Sequence, residues 1–87
     1  MDIALVTGAS SGLGEEFVRV LAEQGKVDEI WAIARRKERL AKLAEECAPA
    51  CIRPITLDLT DRKSFAALRS LLEQERAIIR IIINNAG

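Results

Sequence analysis

Three glycines set the first chemical possibility. In the run Thr7-Gly8-Ala9-Ser10-Ser11-Gly12-Leu13-Gly14, they stand at positions 8, 12 and 14. An apolar, partly β-branched run precedes them and a helical pattern follows. Glycine at 8 permits a sharp turn, and at 12 it lets the backbone approach a pyrophosphate. At 14 it lets a helix pack closely on a sheet. The free N–H groups of the helix N-terminus, where Gly12, Leu13 and Gly14 stand, would face the phosphates. Ser10 and Ser11 add hydroxyl donors. No Lys follows the glycines, so this is not a P-loop, and the spacing is not GxGxxG. The plain alternative is a loop that only joins a strand to a helix.

Three further places sit at the ends of apolar runs. Arg35 and Arg36 follow Ala34, where an acid would bind a ribose 2′-hydroxyl. Two guanidiniums there suit a 2′-phosphate through charge-assisted bonds, which favours NADP(H) over NAD(H). The alternative is ordinary solvated surface charge. Asp58 and Leu59 close the third run. Asp58 is placed to accept from an adenine amino group, with the Leu59 backbone beside it, or else to cap the following turn. The fourth place is Asn84-Asn85-Ala86-Gly87. Asn amides can reach a ribose or bridge strand ends, and for Asn85 the bridge is the better reading.

Alternating elements position these groups. Ile3 to Thr7 reads as a buried strand. A helix follows, with Leu13, Phe17, Val20 and Leu21 on its apolar side and a stop at Gly25. Glu29 to Ala34 is a second strand, on which Trp31 lies near the expected adenosine side. A second helix carries Leu40, Leu43, Ala44 and Cys47, and Pro49 closes it. Ile52 to Asp58 is a third strand, and Pro54 within it demands a sheet edge. Thr60 or Asp61 caps a third helix with Phe65, Leu68, Leu71 and Leu72 inward. Ala77 to Asn84 is a fourth strand.

This order, β-α-β-α-β-α-β, predicts an α/β fold: half of a doubly wound (Rossmann) parallel sheet, with strand order 3-2-1-4. Residues 1–87 form a single half-domain. Strand four would be an edge rich in isoleucine, which invites pairing with another chain. One sheet face would carry two helices and the other only one, leaving an apolar patch.

Composition narrows the function classes. Thirteen Lys plus Arg balance thirteen Asp plus Glu. Zero net charge argues against nucleic-acid binding by counterion release. No apolar run is long enough to span a bilayer, and Asp2 stands where a signal peptide would be basic. The expected compartment is the cytoplasm. The sequence has no His and no Tyr, so a His triad, a His metal site and a tyrosyl proton donor are excluded within it. Cys47 and Cys51 read as small hydrophobes at a helix end and a strand start, not as a zinc site or a disulfide. A chain this short buries only about 60–65% of its unfolded surface and is marginal unless something completes it.

Taken together, the TGxxxGxG loop at 7–14, Arg35, Asp58 and NNAG at 84–87 resemble the N-terminal half of a classical short-chain dehydrogenase/reductase of the NADP-preferring type. The resemblance covers all 87 residues. It implies that the glycine loop and Asn84 contact the cofactor and that Asn85 stabilises the sheet. It also implies hydride transfer to or from the nicotinamide. The family's Tyr, Lys, Ser and relay Asn, and most of its substrate pocket, lie beyond NNAG. The chain therefore reads as a truncated cofactor-binding segment of an oxidoreductase, inactive alone. A non-enzymatic, self-assembling or complementing half-fold is the alternative. A nucleotide-sensing regulator is a third reading.

Overall fold

A computed structural model describes residues 1–85. Its elements are β1 (Asp2–Thr7), α1 (Gly12–Gln24), β2 (Glu29–Ala34), α2 (Lys37–Glu46), β3 (Ile52–Thr56), α3 (Arg62–Gln74) and β4 (Ile78–Asn84). All strand pairs are parallel, and the sheet order is β3-β2-β1-β4. The predicted order therefore holds, and Pro54 lies on an edge strand, where its missing N–H breaks no ladder.

The two faces of the sheet are covered unequally. Ala4, Val6, Ile30, Ala32, Ala34 and Ile52 pack with Val18 and Leu21 of α1 and Leu40 and Leu43 of α2. On the other face, Ile3, Leu5, Trp31, Ile33 and Ile55 meet Leu68 of α3, with Leu71 and Leu72 alongside. Period-two alternation along each strand produces this division.

Several expected positions are corrected. The buried side of α1 is Gly14, Val18 and Leu21, whereas Val20 is exposed and Leu13 is 61% exposed. The stripe is rotated because the helix seats on the sheet through Gly14. Phe65 is 57% exposed, because the single helix on its face presses mainly through Leu68. β3 ends at Thr56, not Asp58. Thr56 pairs with Ala34, the last residue of β2, and only the Leu57 N–H to Ala34 carbonyl bond extends further. Cys51 is exposed, with Sγ 3.6 Å from Glu29 Oε2, while Cys47 is half-buried at the end of α2.

α3 ends with Arg76 in the left-handed region, at φ 51°. The Arg76 N–H reaches Glu73 O and the Ala77 N–H reaches Leu72 O, the pair of bonds that usually accompanies a glycine there.

Among the described residues, β4 pairs only with β1. A bulge between Ile79 and Ile81 leaves Arg80 unpaired, 3.3 Å from Asp2. The extra residue shifts the alternation. Ile81 and Ile83 pack against the α1 and α2 side, so they are not part of the exposed edge expected from sequence. Ile78, Ile79 and Ile82 are exposed, Ile82 by 63%.

Core position and apparent stripe position should separate in a stability measurement. Leu40, on the buried face of α2, is 0% exposed. Leu40→Ala is expected to destabilise the chain by about 2–5 kcal/mol, by lost burial and a residual cavity. Phe65→Ala is expected to change stability by less than about 1 kcal/mol. Urea denaturation checks both; equal losses would contradict this packing.

Candidate functional site

β1 delivers Thr7 to the C-terminal edge of the sheet, beside the end of β4. The Thr7 hydroxyl donates to Asn84 Oδ1 at 3.0 Å and accepts the Asn85 N–H at 3.0 Å. The chain then turns at Gly8, whose φ is 63°. A side chain there would strain the backbone. The Ala9 N–H bonds Ile33 O at 3.1 Å, which ties the turn to β2 as well.

The glycine loop is held by one hydroxyl. Ser11 Oγ donates to Gly8 O at 2.9 Å. It also accepts the Gly14 N–H at 3.0 Å and Asn85 Nδ2–H at 2.8 Å. Ser11 thus caps α1 and anchors Asn85 at once. Asn85 Nδ2 also lies 3.3 Å from Gly8 O, so its amide bridges the β4 end to the loop, as its sequence reading expected. The Ser11 hydroxyl, expected from sequence to face a ligand, gives its proton to Gly8 O in this structure.

Gly12 and Gly14 are pressed differently. A Cβ on Gly14 would collide with Gly8 O and the Gly8 carbonyl carbon. A Cβ on Gly12 would meet nothing within 4 Å. Gly14 is therefore required by helix–turn contact, whereas Gly12 faces open space at the helix start. The Gly14 and Glu15 N–H groups go to Ser11 Oγ and Ser11 O. Those of Gly12 and Leu13 have no described acceptor, and such orphan donors suit an anion.

At the end of β2, Arg35 and Arg36 are both exposed. Arg36 takes the position before α2 and makes no side-chain cap. Asp58 is half-buried in the β3–α3 connection. Its Oδ1 accepts the Thr60 hydroxyl at 2.7 Å and the Thr60 N–H at 3.0 Å. The turn-capping alternative is thus the one this oxygen adopts, and adenine recognition would fall to Oδ2. The two Thr60 bonds, with the Arg35 charge nearby, hold the carboxyl below its ordinary value. Leu59 tucks its side chain against the α3-side core. Of the NNAG residues, Asn84 and Asn85 are placed, whereas Ala86 and Gly87 lie outside the described residues.

The structure therefore gathers Gly8, Ser10, Ser11, Gly12, Leu13, Gly14, Asn84 and Asn85 around the end of β1. The β2 and β3 ends carry Arg35, Arg36 and Asp58 alongside. Sequence reasoning missed two members. Thr7 fastens both asparagines, and Arg39 donates from α2 to Ser10 O at 3.1 Å. Trp31 is corrected too. It is fully buried mid-strand opposite Leu5, with Nε1–H donating to Glu29 Oε1 at 2.9 Å. The Arg53 guanidinium lies 5.0 Å from its ring centroid. A groove of about 450 Å³ between the C-terminal ends of α1 and α2 opens at the opposite end of the strands.

The family model described as short chain dehydrogenase matches residues 2–87. The chain belongs to that family. Among curated relatives, it is 39% identical over 85 residues to the NADP-dependent 3-hydroxy acid dehydrogenase of Schizosaccharomyces pombe. That match covers 95% of this chain and 33% of the relative. It is 34% identical over 90 residues to sulfoacetaldehyde reductase 2 of Chromohalobacter salexigens, covering 99% and 34%. This short-chain dehydrogenase segment thus spans about a third of the length of the curated relatives it matches.

Solved structures give the same fold. A metagenomic short-chain oxidoreductase in complex with NADP superposes with TM-score 0.86 at 29% identity, over 99% of this chain and 39% of its own. The short-chain dehydrogenase of Sphingobium yanoikuyae, in complex with NADPH, gives TM-score 0.82 at 33% identity, over 100% and 34%.

The Asp58 turn generates a pH prediction. A carboxyl whose folded value is depressed adds stability in full above its ordinary value of 3.8, and that contribution is lost as pH falls through the folded value. Thr60→Val removes the hydroxyl donor and keeps the N–H. Carboxyl NMR titration is expected to show Asp58 moving up toward its ordinary value in the variant. An unmoved titration would mean that the hydroxyl bond contributes nothing.

Proposed function

We propose that this chain is the NADP(H)-binding segment of a short-chain dehydrogenase/reductase oxidoreductase. The observation that carries the reading is the open helix start at Gly12 and Leu13, with two exposed arginines and no carboxylate at the end of β2. The cofactors named for the two solved neighbours support it.

The residues present fit a dinucleotide. The Gly12 and Leu13 N–H groups would bind the pyrophosphate, and the space above Gly12 admits it without collision. Ser10 would offer its hydroxyl at the rim. Arg35 and Arg36 would hold the 2′-phosphate. Oδ2 of Asp58 and the Leu59 backbone would meet the adenine. Asn84, beside Thr7, would lie toward the nicotinamide ribose, and Ala86 and Gly87 complete the proposed set. When bound, the nicotinamide gives or takes a hydride. The 87 residues contain no Tyr, so the family's proton donor is not among them, and the chain is proposed to be inactive alone. Affinity in the high micromolar range or weaker follows from a site that draws on only part of the family fold, about −5 kcal/mol or less favourable. The cytoplasm is the proposed compartment. No helix among the described residues is long and apolar enough to cross a membrane.

One observation favours a second reading. β4 presents Ile78, Ile79 and Ile82 on an edge that pairs with nothing beyond β1. A self-assembling or complementing half-fold would cover that edge, either with a second copy or with further chain of the same family.

Because Trp31 is buried, binding is better read from calorimetry than from its quenching. NADPH is expected to bind saturably and NADH more weakly. Arg35→Ala is expected to weaken NADPH about tenfold, the loss of one charge-assisted contact. Equal affinities for the two cofactors in the unsubstituted chain would contradict the 2′-phosphate assignment. For the second reading, light scattering is expected to show a dimer that Ile82→Lys dissociates; a stable monomer at high concentration contradicts it.

A further inference from the structure

Among the described residues, Arg39 is the one basic residue after β2 whose side chain bonds back to the glycine loop. Its Nη1 donates to Ser10 O at 3.1 Å, and its guanidinium is exposed. The bond crosses from the first turn of α2 to the turn after β1. It fixes a cation on the loop side of the β2 end. Arg35 follows the last residue of β2 directly and is exposed at the strand end. Among the described residues, ion pairs engage Arg19, Lys42, Arg53, Arg69 and Arg80, and none engages Arg39. Arg39 is bonded to a neutral carbonyl that uses one of its five N–H donors.

Such an arrangement leaves a charged fork at the loop with its remaining donors uncommitted among the described residues. Ser10 O orients the planar group and lowers the entropy lost when it takes a second partner. A dianion bound at the end of β2 would have Arg35 at the strand end and Arg39 on the loop side. We propose that Arg39 is a specificity-determining residue that contacts the 2′-phosphate of the cofactor, enclosing it against Arg35. This rests on the NADP(H) reading and extends it by one residue on a different element.

The test is calorimetry on the 87-residue chain with NADPH, NADH and adenosine 2′,5′-bisphosphate. Arg39→Ala is expected to weaken NADPH and the bisphosphate about tenfold and to leave NADH within twofold. Arg39→Lys keeps the charge without the fork and is expected to give a smaller loss on the same two ligands. Equal weakening of NADPH and NADH would make Arg39 a loop tie only, overturning this inference while the NADP(H) reading stands. Unchanged binding of all three ligands would also overturn it. Loss of 2′-phosphate preference on Arg35→Ala, with none on Arg39→Ala, would assign the phosphate to Arg35 alone. If the unsubstituted chain binds none of the ligands, the NADP(H) reading fails, and this inference with it.

Discussion

The contact between Gly14 and the Gly8 carbonyl governs the rest of the structure. No side chain fits between them, so α1 starts directly over the turn that follows β1. That closeness brings Ser11 within reach of Gly8 O, Gly14 N and Asn85 at once. It also rotates α1 so that Val18 and Leu21, rather than Leu13 and Val20, enter the core. Helix packing and the open helix start at Gly12 are therefore two consequences of one missing Cβ.

The sheet order then does the positioning. The strands step outward from β1 through β2 to β3, and the chain then returns to place β4 on the other side of β1, so the direction of build-up reverses between β1 and β4. Ligands in open α/β sheets bind at such a reversal. Thr7 ties the β4 end to β1 on one side, and the Ala9 bond to Ile33 ties the loop to β2 on the other. A loop held from both sides keeps its N–H groups aimed without needing a ligand to order it, which reduces the entropy lost on binding. The same order leaves β4 unshielded, so the element that completes the loop is also the least covered strand.

Much of this was legible in the sequence. The glycine spacing, the alternation of strands and helices and the edge position of Pro54 follow from backbone constraints, which residue types report directly. The Asn85 bridge was legible from its place at a strand end. What escaped depends on side-chain torsions and on tertiary neighbours. Ser11 is a short polar residue that can bond nearby backbone as easily as a ligand, and it does. Phe65 lies on the apolar stripe of α3, but a stripe does not say how much of itself one helix can press onto a sheet. Arg80 reads as an interruption of an isoleucine run, and its bulge decides which isoleucines are buried. Arg39 sits in an ordinary charged run, and only the fold brings it back to Ser10.

The central claim is that the N–H groups at the start of α1 form a phosphate cradle beside a 2′-phosphate site. Amide NMR shifts on titration with NADPH test it most directly. The largest shifts are expected at Gly12 and Leu13, with Arg35 and Arg36 following, and little change at the Cys47–Cys51 groove. Shifts centred on that groove or on β4, or none at the loop at saturating cofactor, would contradict the account.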